Sequence, residues 1–398
     1  MHNSSVKGKR ADQATLLFAG DYHIYGNYDK VRGKFDEFIK KNPEHCLFDD
    51  NIKKLVQQSD LAVFNLEDPI SVRREGIVKH GPHGVGSPDS LIPVSNAGFN
   101  VATFATNHSY DMGQEGIETT RRECSKKGID LLGVGLDIDE ARKAYFREIN
   151  GIKVSILNFS RVEYNAATES RGGANPLDVV TNTKDIIDAK KQSDCVILVV
   201  HEGLDTFHLP YPALIKQMRF YADMGADAIL LHHSRIVSGY EIYENVPIFY
   251  GLGNLLHMSR DKREHEGLIV EFHASCNKLA FQLHPVHYSE VTAMISLTEG
   301  ARSEQILDKI EELSIIIRDP YKLKVEWDSF VYDRRALYTG LVNGIPSILH
   351  KILRKSLLKL LYIKLQACRK KRNLALLNVL RCQAHLEALK RSFEYLVE

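Results

Sequence analysis

The chain has no surplus of charge of either sign. Its 52 Lys and Arg balance 51 Asp and Glu, leaving a formal net charge of +1. A protein without a global field is not steered to nucleic acid, so nucleic acid is not expected as a partner. Nor is there an apolar run near the roughly 18 residues that a spanning helix needs. The first 13 residues hold Lys7, Lys9 and Arg10 but no apolar stretch, so they read as a disordered start and not as a signal peptide. Six cysteines (46, 124, 195, 276, 368 and 382) include no CxxC pair, and Cys195 lies inside the apolar run 195-CVILVV-200. They are expected to be reduced, mostly buried thiols of a cytoplasmic protein. No repeat or low-complexity stretch is visible, which excludes solenoids. The glycine-rich 251-GLGN-254 lacks a following Gly-Lys-Ser/Thr, so it is not a phosphate loop.

The 398 residues are 44% hydrophobic and 26% charged, ordinary values in a chain longer than one core usually fills. Short apolar runs recur: 15-TLLFAG-20, 60-DLAVFN-65, 101-VATFAT-106, 153-KVSILNF-159, 195-CVILVV-200, 228-AILLHH-233 and 247-PIFYGLG-253. Each has strand length, and most are apolar on both faces, as in a sheet covered on two sides. Helical patterns lie between several of them. One is 115-EGIETTRRECSKK-127, stopped by Gly128; another is 212-PALIKQMRFYADM-224, with Pro212 at its start and Gly225 past its end. The alternation predicts a layered α/β fold. The runs 267-GLIVEFHA-274 and 279-LAFQLHPVHY-288 read as adjacent antiparallel strands. From about Ala301 charged helical periodicity takes over, broken at Asp319-Pro320 and at 343-NGIP-346. The expected division is a main domain over 14–300 and a helical C-terminal region over 301–398.

Polar residues collect where the apolar runs end. The ends read Gly20-Asp21-Tyr22-His23, Asn65-Leu66-Glu67, Asn107-His108, His201-Glu202-Gly203, His232-His233 and Gly253-Asn254. Taken singly, each has a plainer reading: a Gly-Asp turn, a helix cap at Asn107, core histidines at 232 and 233. The recurrence argues otherwise, because the carboxyl ends of strands in α/β sheets converge on one crevice. Carboxylate, imidazole and amide oxygen together suit a divalent ion such as Mn, Fe, Zn or Ni.

In order, the series GD…NLE…TNHSYDMGQEG…HEG…GADAILLHHSRIVSGYEIYENVPIFYGLGN over roughly 15–275 resembles the CapA family of capsule and poly-gamma-glutamate synthesis proteins. That family has the calcineurin-like metallophosphoesterase fold. Residues 174-ANPLD-178 and 379-VLRCQAHLEAL-389 also resemble a subgroup found with polysaccharide genes. The resemblance implies a four-layer sandwich with a helical C-terminal region. It also implies a metal held by Asp21, Glu67, Asn107, His201 and His233, with Glu67 bridging if two ions bind. His108 would face the substrate and protonate a leaving group. The implied chemistry is metal-activated water attacking a phosphorus or carbonyl centre, with one or two Mn, Fe or Zn ions.

This sequence departs from the family pattern at the HxH motif, which reads His233-Ser234-Arg235. Arginine has no lone pair for a metal. Either His23, two residues after Asp21, replaces the lost ligand, or Arg235 takes the second-metal position and binds an anion. The family H-x-G-x-E ends here in the shorter acid Asp205. Glu163, in 158-NFSRVEYN-165, follows another strand and is a candidate substrate contact or a solvated loop acid. Asn254 is placed as a residue that orients a ligand.

The stretch 351-KILRKSLLKLLYIKLQACRKKR-372 has nine basic residues, no acids and an apolar stripe. It reads as a helix packed on the domain or, alternatively, as a peripheral membrane contact. The leucines of 374–396 need a partner, and that neighbouring helix is the nearest in sequence. The expected function is a metal-dependent, phosphoesterase-like hydrolase of surface-polysaccharide synthesis acting on a phosphorylated or polyanionic polymer-related substrate. The alternative is a non-catalytic assembly factor that binds polymer or anion in a degraded metal site.

Overall fold

Strands that are apolar on both faces must be covered on both faces, and the fold supplies the cover. The structure is a computed structural model. It describes residues 13–24, 39, 47–73, 75–259, 261–276, 278–289, 294–343 and 371–395. The N-terminal 12 residues and most of the basic tail 351–372 lie outside them.

The strands are β1 (Ala14–His23), β2 (Leu61–Leu66), β3 (Val101–Thr103), β4 (Asp130–Leu132), β5 (Val134–Gly135), β6 (Tyr145–Ile149), β7 (Ile152–Ser160) and β8 (Gly173–Ala174). They continue as β9 (Cys195–His201), β10 (Ala228–His232), β11 (Tyr240–Tyr243), β12 (Val246–Phe249), β13 (Asn254–His257), β14 (Glu266–Ser275), β15 (Lys278–Ser289) and β16 (Met294–Leu297). An eight-stranded sheet runs β16-β15-β14-β1-β2-β3-β4, with β13 also pairing β1. A six-stranded sheet runs β11-β12-β10-β9-β7-β6.

The two sheets pack face to face. Leu16, Phe18 and Val63 of the first share one core with Ile156, Ile197, Leu230 and Phe249 of the second. The alternate residues Leu17 and Phe64 point outward, onto Ile52, Val56, Val94 and Ile117 of the covering helices. Leu157, Leu198 and Ile229 on the far face of the second sheet pack on Ile186, Leu214 and Met218. Helix, sheet, sheet and helix make four layers, the arrangement that the resemblance implied.

The helical region joins this packing. Helix Gly300–Arg318 sets Ile306 and Ile310 into the core between the sheets and Leu313 and Ile317 into the outer one. Asp319 ends it, and Pro320 opens the next helix, Pro320–Asn343. The C-terminal helices over 371–381 and Gln383–Glu394 bury Val379, Ala384, Ala388 and Leu389. Among the described residues, their partners are Trp327, Phe330 and Val331 of Pro320–Asn343 and Leu204, Leu209 and Tyr211 after β9.

One expected strand divides. The run 247–253 supplies β12 to the second sheet. The chain then crosses at Tyr250–Gly253, where Gly253 has φ +63°, and resumes as β13 in the first sheet. Only glycine takes that left-handed turn without strain. A Cβ at Gly253 would also press on the Glu266 carbonyl and on Val237.

Parallel pairing decides where the strands end. β1, β2 and β3 run parallel, as do β7, β9, β10 and β12. Their register aligns Thr103, Asn65, Asp21 and Asn254 across one sheet and Ser160, His201 and His232 across the other. The polar residues of six strand ends therefore meet at one edge of the sandwich.

Candidate metal centre and anion crevice

At that edge the buried polar side chains form two linked groups. The first holds donor atoms that converge. His201 Nε2 lies 3.0 Å from Asn107 Oδ1 and 3.2 Å from His233 Nδ1. Ligand atoms of Glu67, His201 and His233 all lie within 4.8 Å of one another. Both Glu67 carboxylate oxygens are buried and lack a hydrogen-bond partner. Leaving a buried carboxylate unsatisfied is costly, so its oxygens point to a cation. Burial pushes the Glu67 carboxyl up to about 8, although His23 and Arg235 pull it down. Burial also holds His201 and His233 well below the usual imidazole range, so both are neutral, the form that binds a metal. Glu67, Asn107, His201 and His233 thus fit one divalent ion, with carboxylate, amide and two imidazoles as donors.

The second group does not offer the same set. Asp21 Oδ1 accepts from Asn65 Nδ2 at 2.9 Å and lies 2.8 Å from His232 Nδ1, while Oδ2 accepts the His233 N–H at 3.1 Å. Burial raises this carboxyl, but His232, His201 and the His233 N–H outweigh it and bring it to about 2. These bonds tie the Asp21 carboxylate to the turn that carries His233, a residue at φ +92°, and a carboxylate bonded in this way can still offer an oxygen to a metal. His23 Nδ1 lies 3.1 Å from Asp68 Oδ2 and 3.8 Å from Glu67 Oε2, with its ring 4.4 Å from that of His257.

Arg235 approaches from the other side. Its Nη2 is 4.0 Å from Glu67 Oε1 and its Nε is 3.6 Å from Asp205 Oδ1. Burial disfavours the charge, yet Asp205 and Glu67 more than offset it and keep the guanidinium protonated. A fixed cation thus stands beside Glu67, where the family pattern has its second histidine. Asn254 holds it there by donating to the Arg235 carbonyl at 2.8 Å and to the Glu264 carbonyl at 2.7 Å.

His108 is set by its neighbours. Its Nδ1 is 2.6 Å from Asp111 Oδ2, and Asp111 Oδ1 pairs with Lys79 Nζ at 2.5 Å. A proton on Nδ1 directed at that carboxylate leaves Nε2 facing the crevice, 4.0 Å from Glu67 Oε1. The cavity in front has a volume of about 350 Å³ and is lined by Lys79, His108, Asp205 and Arg235, among others.

Several of these residues were not legible as site residues. Asp111 lies three residues after His108, a spacing that signals a partner only once His108 is known to matter. Asp68 stands beside Glu67, and His257 and Lys79 come from segments with no motif. Arg161, just after β7, is fully buried. Its Nη1 donates to the Gly203 carbonyl at 2.7 Å and lies 2.5 Å from His233 Nε2. Its Nη2 meets Cys382 Sγ, and its Nε pairs with Glu163 Oε1 at 3.0 Å. Glu163, a candidate from the sequence, thus stands on the crevice rim as the partner of Arg161.

A four-layer α/β protein with metal-competent donors at the strand ends, beside a crevice where Lys79 and Arg235 stand among the acids Glu163 and Asp205, is the class these features define. The chain belongs to the bacterial capsule synthesis protein family PGA_cap, whose model matches residues 15–259. It is 26% identical over 312 residues to the PGA biosynthesis protein CapA of Bacillus subtilis, covering 77% of this chain and 80% of that one. It is 24% identical over 284 residues to the capsule biosynthesis protein CapA of Bacillus anthracis, covering 69% and 67%. A solved structure, a novel phosphatase of Mycoplasma pneumoniae, is 13% identical and covers 74% of this chain and 98% of that one, with a TM-score of 0.42.

Proposed function

We propose that this CapA-like protein is a single-metal hydrolase that acts on an anionic substrate, a phosphoester above all, in capsule or poly-gamma-glutamate synthesis. The observation that carries this reading is Glu67, whose two buried oxygens lack hydrogen-bond partners between neutral His201 and His233 on one side and Arg235 on the other. Glu67, Asn107, His201 and His233 would hold the ion, which would supply Lewis acidity there. The chain's own groups do the rest. Arg235 and Lys79 hold the anion, since a guanidinium and an ammonium complement its oxygens. His108, oriented by Asp111, carries a proton at Nε2 to the leaving group. Asp21 keeps the His233 turn in place.

Arg235 also supports the second reading, an assembly factor that binds anionic polymer without turnover. A guanidinium gives no electrons to an ion and repels a second one beside Glu67. The two readings separate in one experiment. Purified protein is supplied with Mn and assayed on bis-p-nitrophenyl phosphate, with orthophosphate binding measured in parallel. Turnover that is lost in His108→Ala supports the hydrolase. Phosphate binding without turnover on any phosphoester or glutamyl substrate supports the assembly factor.

A further inference from the structure

The crevice has a wall from outside the family match. Ala375, Asn378, Val379 and His385 of the C-terminal helices line the same cavity as His108 and Arg235. They lie more than a hundred residues beyond residue 259, where the match ends. This wall is fastened to the loop after β7 at several points. Tyr164 Oη donates to the Leu374 carbonyl at 2.7 Å, and Arg381 Nη1 donates to the Glu163 carbonyl at 3.3 Å. Arg381 also lies over the Tyr164 ring at 5.4 Å, and Arg161 joins Cys382 to His233. Ala375, Val379 and Cys382 are buried by this docking. The helices are therefore a fixed part of the site and not a neighbour that happens to lie near it.

One side chain of the wall is unfinished. Asn378 is only 8% exposed, lines the cavity, and its amide oxygen has no hydrogen-bond partner. A buried amide oxygen left this way calls for a donor, from water or from a ligand in the cavity. Of the wall residues that line the cavity, Ala375, Asn378, Val379 and His385, only His385 can titrate, and burial and the nearby Arg161 push it down to about 3. The wall thus offers a hydrogen-bond acceptor, while Arg235 and Lys79 on the floor offer charged donors.

We propose that the C-terminal wall is a specificity element: Asn378 accepts a hydrogen bond from a neutral N–H or O–H carried next to the substrate's anionic group. The ligand class is then an anion with an adjoining donor, small enough for about 350 Å³, such as a chain end. A phosphorylated sugar supplies phosphate with hydroxyl; a γ-glutamyl unit supplies carboxylate with amide N–H. The inference rests on the crevice being an anion site.

The test is isothermal titration of the full chain with orthophosphate, glucose 1-phosphate and γ-glutamylglutamate, in wild type, Asn378→Ala and Asn378→Leu. Leucine fills the amide's volume, so it guards against a packing defect in the alanine variant, and melting curves check that both fold. The expected result is equal phosphate affinity in all three proteins, with the extra affinity of one larger ligand reduced about three- to tenfold in the variants, the range of a neutral hydrogen bond. Which larger ligand gains identifies the source of the anion. An unchanged preference in the variants overturns the role of Asn378 while leaving the anion site intact. An equal drop for phosphate and the larger ligands also overturns it, because Asn378 then shapes the whole cavity. No binding of any anion by the wild type removes the anion site itself, and the inference with it.

Discussion

At the scale of single residues, the site depends on a few side chains whose partners fix their chemistry. His108 is held at Nδ1 by Asp111, 2.6 Å away, and its Nε2 stands 4.0 Å from Glu67 Oε1, outside hydrogen-bonding distance. His108→Ala should therefore keep its metal and its melting temperature while turnover falls by about 10²–10⁴-fold, the usual range for a lost general acid. Loss of metal together with turnover would make His108 a ligand. Arg235→His restores the family's second histidine beside Glu67. Metal content should rise above that of the wild type, and phosphate should bind more weakly because a guanidinium has gone. Unchanged phosphate affinity would show that Arg235 does not touch the anion.

At the scale of elements, the strand ends work only because neighbouring strands keep their register. β1 shifts register against β2 and β13 around Gly20-Asp21, and a Cβ at Gly20 would run into the Gly253 carbonyl. Gly20→Ala must push β13 away from β1 and carry Asp21 with it. We expect a loss of about 1–3 kcal/mol, as in other overpacked sites, together with weaker metal binding. Denaturant melts and metal titration read the two effects separately; a stability loss with intact metal affinity would show that Asp21 tolerates the shift. The same register explains what the sequence made visible. Strand ends carrying Asp21, Glu67, Asn107, His201 and His233 could be read from apolar runs that stop at polar pairs, because parallel strands bring their carboxyl ends together. The division of 247–253 into β12 and β13 could not be read, since it depends on one left-handed glycine. β6 was invisible for another reason: its Phe146, Arg147 and Glu148 are exposed, so no apolar pattern marks it. Arg161 and Lys79 escaped because their roles come from long-range contacts that leave no spacing in the chain.

At the scale of the whole molecule, the helical region completes both the core and the crevice. Trp327 stacks on Phe330 with ring centroids 6.0 Å apart and lies 6.1 Å from both Phe207 and Tyr211. It joins Pro320–Asn343 to the loop that follows His201, the last residue of β9. Trp327→Ala should cost about 3–5 kcal/mol and lower the melting temperature of the entire chain in one transition. Two separated transitions would show that the helices melt independently of the sandwich. No helix among the described residues is long and apolar enough to cross a membrane.

Glu67, Asn107, His201 and His233 are proposed to hold one ion, with Arg235 in the place of a second. Metal per chain, measured by elemental analysis of wild type and Glu67→Gln after Mn or Zn loading and desalting, tests this most directly. The expected content is about one equivalent in the wild type, from four donors at one position, and a trace in Glu67→Gln. Two equivalents in the wild type, or equal metal in both proteins, would contradict it.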